Sequence, residues 1–273
     1  MLALRNVTFG QGEIMPREAD KPVPADPART AAGLVEELRA LGSETDREGM
    51  GRFGINVDSA LGVSVYKTRE VARKHRNDHE LAAALWATDV HEARMLAVFV
   101  DDPAQVTPEQ MDAWAADFDS WDITDQATTS LFDLTPHAWG KAYEWSAAPE
   151  EFVKRGAFAL MAGLAVHDKK APDADFVAYL PVIERESGDG RNFVKKAVDW
   201  ALRNIGKRDA ALNGEAVACA ERILAAAGDG RDPEARSMRW IAKDTLRELN
   251  GDKIRKRLGL PPLDPAHDGD VTP

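Results

Sequence analysis

The chain has 273 residues, 44% of them hydrophobic and 30% charged, and a net charge of −11. That composition supports a real core, and the acidic balance argues against indiscriminate binding to nucleic acid or anionic membranes. No run approaches the roughly 20 apolar residues of a membrane span, and the lone cysteine, Cys219, excludes an internal disulfide and a cysteine-built zinc site.

In chain order, residues 1–30 read as a tail. "PREADKPVPADPAR" is proline-rich and charged, with few large apolar groups to offset its ordering entropy. There is no basic-then-apolar leader pattern, so a cytoplasmic location is expected. Residues 31–258 form the expected folded unit, and 259–273, containing "PPLDPAHDGDVTP", read as a second tail. Apolar periodicity predicts helices over 28–42, 64–76, 78–87, 90–100, 107–117, 121–133, 136–145, 149–167, 173–186, 190–206, 210–226, 232–249 and 252–257. The connectors are short and carry stop signals, among them "GMGRFG", "DDPAQVTP" and "GDGRDP". Thr107-Pro108 and Asp232-Pro233 place proline in a first helical turn. No alternating run is long enough to require a sheet. The pattern predicts an all-α fold, a HEAT-like or armadillo-type α-solenoid of antiparallel helix pairs with a long groove on its concave side. No clean repeat is visible, so a globular helical bundle satisfies the same pattern.

Charge is distributed unevenly. From Arg191 to Arg257 there are sixteen Lys and Arg against ten Asp and Glu; the remainder holds nineteen against thirty-six. Such asymmetry hints at a charged partner. In "NFVKKAVDWALRNIGK", Val194, Val198, Ala201 and Ile205 make one helical stripe, and Lys196, Trp200, Arg203 and Lys207 the opposite one. In "EARSMRWIAKDTLREL", Arg236, Arg239, Lys243 and Arg247 align, with Trp240 nearby. In the helix opening at Trp121, Ile123, Ala127, Ser130 and Leu134 fall on one side; Trp121, Asp125, Thr128 and Phe132 fall on the other. Asp125 follows Trp121 by one turn, so carboxylate and indole are neighbours. Basic stripes aligned on successive helices would pair with phosphates while indoles meet bases or sugars. The plainer reading stays open: most helical tryptophans are packing residues, as expected for Trp86, Trp114, Trp139 and Trp145, and most charge runs are solvated faces. Asp117, Asp119 and Asp122 are expected to face solvent or cap a helix.

The six histidines show no metal-ligand spacing. His75 and His79 straddle a break at Asn77-Asp78, and His91 in "HEAR" lacks the second histidine of a zinc-protease helix. No phosphate loop and no nucleophile motif is found. Neither a metal nor another cofactor is expected.

Five blocks, "FGINVDSALGVSVYKTREVAR", "DVHEARMLAVFVDDP", "MDAWAADFDSWDITDQ", "FVKRGAFALMAGLAVHDK" and "NFVKKAVDWALRNIGKRD", resemble the DNA alkylation repair family of HEAT-like proteins, which includes the AlkD-type DNA glycosylases. The resemblance covers roughly 31 to 258. It implies a catalytic cluster of Trp121, Asp125 and Trp200, and basic residues on the DNA backbone, with Arg155 and Arg203 as the nearest matches; Lys196, Lys207, Arg239 and Lys243 join them from the stripes. The double tryptophan typical of the best-known members reads Ser120-Trp121 here. The implied partner is double-stranded DNA with alkylated bases, the implied reaction is excision of purines alkylated at N3 or N7, and a monomer, nucleoid-associated when on DNA, is expected. Such bases are already cationic, so they leave without a general acid. Asp125 would stabilise the oxocarbenium-like sugar, and cation–π contacts of roughly 0.5–2 kcal/mol each would favour the charged lesion. Two alternatives share these features: a non-catalytic binder of damaged or branched DNA, and a protein-interaction scaffold.

Overall fold

Helix starts follow the side chains that satisfy first-turn amides. Asp26, Ser43, Ser64, Asp78, Thr107, Asp209 and Asp232 each accept from an amide two or three residues on, and Pro27, Pro108 and Pro233 sit in first turns whose amides lack helical partners. The computed structural model of the protein describes residues 26–263; the tails expected at 1–30 and 259–273 lie mostly outside them. Among the described residues there are fourteen α-helices and no strand: α1 (Pro27–Leu41), α2 (Glu44–Arg52), α3 (Val65–Ala72), α4 (His79–Trp86), α5 (His91–Val100), α6 (Pro108–Ala116), α7 (Trp121–Ser130), α8 (Ala138–Ser146), α9 (Glu151–His167), α10 (Asp173–Glu186), α11 (Asn192–Gly206), α12 (Ala210–Ala227), α13 (Pro233–Leu249) and α14 (Asp252–Arg257).

The helices stack as a HEAT-like solenoid. Alternate helices α5, α7, α9, α11 and α13 pack side by side in one continuous row, and α8, α10 and α12 pack in a second row across from it. At the N-terminal end α1 and α3 close onto α4 and α5. Within its row α9 touches α7 and α11, and across from it α8. It is buried without interruption from Arg155 to Ala165, which is why its sequence is apolar around nearly the whole circumference. An aromatic spine crosses the N-terminal half. Trp86 stacks on Trp114 at 4.0 Å between ring centroids, and Phe132 follows at 6.1 Å and Trp145 at 6.2 Å. Trp86, Trp114 and Trp145 are buried, and Trp139 stacks on Tyr179, so all four are packing residues.

Two sequence expectations need correction. The connector "GMGRFG" lies largely within α2 (Glu44–Arg52), a helix with no buried residue and hence no apolar stripe to read. The helix expected over 121–133 stops at Ser130, where Leu131 turns to φ −136°, and a 3-10 turn covers Phe132–Leu134. The break shifts the phase: Phe132, expected beside Asp125, is fully buried, and Leu134, expected beside Ile123, is 58% exposed. Threonines account for the weak helix end. The hydroxyls of Thr124, Thr128 and Thr129 all donate back to carbonyls one turn earlier, a habit that disfavours continued helix.

Candidate nucleic-acid interface

Trp121 is the first residue of α7, following Ser120 as cap. Its indole N–H donates to the Phe53 carbonyl at 3.0 Å, which fixes the ring against the loop after α2. One turn on, Asp125 receives a two-pronged bond from Arg155 of α9: Nε to Oδ1 at 2.8 Å and Nη2 to Oδ2 at 2.7 Å. Arg155 Nη1 donates to the Phe193 carbonyl at the start of α11, 2.7 Å away. A single guanidinium thus ties three neighbouring helices of the row. Burial holds the Asp125 carboxyl above its ordinary range, and Arg155 opposes that shift; two short parallel bonds are the geometry of an ionised carboxylate.

These groups open into a pocket of about 380 Å³ lined by Trp121 and Asp125 from α7, Arg155 from α9, Lys196, Asp199, Trp200 and Arg203 from α11, and Trp240 and Asp244 from α13. All come from the continuous row. The structure therefore brings together Trp121, Asp125 and Trp200, with Arg155, Lys196 and Arg203 around them. Val194, Val198, Ala201 and Ile205 are fully buried, so the two stripes of α11 do face opposite ways.

Two cations of the α11 stripe are neutralised internally. Arg203 lies 3.0 Å from Asp199, 3.4 Å from Asp244 and 2.7 Å from Glu248, and Lys207 is 3.0 Å from the same Glu248. Asp199 also accepts from the Thr245 hydroxyl at 3.1 Å. Burial pushes the Asp199 carboxyl up to about 7, with Arg203 opposing and Asp244 adding to the rise. Arg239 and Lys243 do not line the pocket. The Arg239 fork donates to the carbonyls of Ala227, Gly228 and Gly230, the chain end of α12, where carbonyls lack helical partners and attract a cation. Lys243 is exposed.

Asp117 faces solvent as expected, its side chain 44% exposed, while Asp119 and Asp122 are partly covered, and all three bond to other elements. Asp117 accepts from Trp86 Nε1 at 2.8 Å, Asp119 from Asn56 at 2.8 Å, and Asp122 is hydrogen-bonded to His91 Nε2 at 2.9 Å. Each carboxylate satisfies a polar group presented by another element, which intrahelical spacing does not reveal. The sequence reading also missed Asp199, Asp244 and Phe53 as parts of the site. One signal was available: Trp240 and Asp244 repeat the spacing of Trp121 and Asp125.

Fold and pocket together define a HEAT-like helical solenoid with an indole-and-carboxylate site on one row of helices. The chain belongs to the DNA alkylation repair enzyme family, whose model matches residues 34–229. A solved structure described as "A new family of proteins related to the HEAT-like repeat DNA glycosylases with affinity for branched DNA structures" shares the fold, with a TM-score of 0.65 and 20% identity over 85% of this chain and 97% of that one. No curated protein matches the chain.

Proposed function

We propose that this protein is a DNA glycosylase that releases purines alkylated at N3 or N7 from duplex DNA. The observation carrying this reading is the convergence of Trp121, Asp125 and Trp200, from helices α7 and α11, in one pocket of a chain in the DNA alkylation repair family. The alkylated base is cationic and departs with the electrons of the C1′–N bond, leaving positive charge on the sugar. The Asp125 carboxylate stabilises that charge, water adds at C1′ and loses a proton to solvent, and the products are the free base and an abasic site. The indole faces favour the cationic base over neutral ones. Arg155 holds Asp125 in one orientation by binding both oxygens, so it acts as a positioning residue for the carboxylate.

That same pair of hydrogen bonds supports a second reading. A carboxylate already matched by a guanidinium is less available to the sugar, and the structural relative is described by affinity for branched DNA. Here the solenoid would bind distorted DNA without chemistry. Base release from methylated duplex DNA separates the two. The glycosylase reading expects wild type to liberate 7-methylguanine or 3-methyladenine, and Asp125→Asn to slow release by about 10²-fold or more with DNA binding retained. Salt-sensitive binding with no base released by wild type would leave the second reading.

A further inference from the structure

The pocket contains the Trp121–Asp125 arrangement twice. On α7, an indole is followed one turn later by a carboxylate bound to the arginine of the next helix in the row, Arg155. On α13, Trp240 is followed one turn later by Asp244, which faces Arg203 of the preceding helix in the row at 3.4 Å. Both pairs line the same pocket, with Trp200 on α11 between their helices. The α13 pair lies beyond residues 34–229, the stretch matched to the family. Nothing in the proposed reaction uses it.

Resting on that reaction, we propose that Trp240 and Asp244 form a second indole–carboxylate dyad that binds the cationic alkylated base, while Trp121 and Asp125 face its sugar. Three features support this division. Trp240 is 38% exposed, one of the few large hydrophobic side chains left uncovered among the described residues, so the core does not depend on it. Its ring already attracts a cation in the free protein, since Lys195 Nζ sits 4.7 Å from the centroid, within the range of a cation–π contact. The Asp244 carboxylate, one turn from the ring, is bonded through Oδ1 to Arg247 and pairs with Arg203 through Oδ2 at 3.4 Å. Its negative charge beside the indole adds to the attraction for a cationic base. The acids Asp244 and Glu248 also occupy Arg203. The α13 side of the pocket is therefore suited to a cation and poorly suited to a phosphate.

The test is equilibrium binding to two duplexes of one sequence, the first carrying a single 7-methyl-2′-fluoro-deoxyguanosine, whose fluorine blocks base loss, the second unmodified. Wild type is expected to prefer the methylated duplex. Trp240→Ala and Asp244→Asn are each expected to weaken binding to it by roughly fivefold, with binding to the unmodified duplex not weakened, and Trp240→Phe is expected to keep most of the preference. A wild-type preference that persists unchanged in both Trp240→Ala and Asp244→Asn overturns the second dyad and leaves the glycosylase reading standing. A wild type with no preference overturns both. Loss of binding to the two duplexes alike would make α13 a general DNA contact and also overturn the proposal.

Discussion

Asp125 and Arg155 are each largely buried, their side chains 16% and 8% exposed. A buried ion pair adds little over an apolar replacement, but removing one partner strands the other charge. Arg155→Ala is therefore expected to lower unfolding free energy by about 3 kcal/mol, read from denaturant midpoints, and adding Asp125→Asn to it should recover a large part. If Arg155→Ala alone melts like wild type, the pair has no structural role. Asp199 makes a different prediction. Its folded carboxyl titrates near 7 because of burial, against about 4 in an unfolded chain. Between those values the folded protein keeps a proton that the unfolded chain has released, so this group's stabilising effect is complete below about pH 4 and is lost as pH rises toward 7. Relative to wild type, Asp199→Asn should gain thermal stability progressively from pH 4 to pH 7 and hold that gain at pH 8. A difference independent of pH would mean that Asp199 is ionised throughout.

Along each element, apolar spacing carries most of the fold and polar partnership very little. The stripes of α11 and the packing tryptophans were legible because burial on one face imposes a period. The juxtaposition of Trp121 with Asp125 was legible for the same reason, and their meeting with Trp200 was carried by the resemblance. What stayed hidden was set between elements. The α2 segment is anchored by the Ser43 cap and by Arg47 donating to the Val57 carbonyl at 2.8 Å, so no stripe announces it. The acids near Trp121 serve Asn56, Trp86 and His91, all distant in the chain. Glu92 shows how strong such links become. Wholly buried at the start of α5, it accepts the amides of Leu61, Gly62 and Val63 at 2.8, 2.8 and 3.0 Å, pinning the loop before α3 to α5. Glu92→Gln keeps the volume but removes the charge and one acceptor, and should destabilise by about 2–4 kcal/mol, with amide exchange accelerated first at 61–63. Equal protection of those amides in the variant would count against this anchor.

Over the whole molecule, a net charge of −11 has to be reconciled with the proposed binding of DNA. The basic segment from Arg191 to Arg257 suggested a cationic trough, yet two of its members, Arg203 and Lys207, are held by Glu248 of α13. Glu248 alone engages both Arg203 and Lys207, and the Lys207 and Arg203 charges keep the Glu248 carboxyl below its ordinary range, so it stays ionised at neutral pH. In the proposed complex, DNA phosphates would compete with Glu248 for these cations, and each cation not released contributes nothing to counterion exchange. Replacing Glu248 with Gln removes the competitor while preserving shape. The variant is expected to bind duplex DNA more tightly at low salt, and its plot of log affinity against log salt should steepen by about 1–2 units, since each additional phosphate contact adds about 0.9 to the slope. Fluorescence anisotropy from 50 to 200 mM salt reads both quantities. An unchanged slope would mean that Arg203 and Lys207 stay off the DNA even when freed, and would move the backbone contacts to other parts of the row. A steeper slope would identify α13 as the element that restrains general DNA affinity and leaves discrimination to the indoles of the pocket.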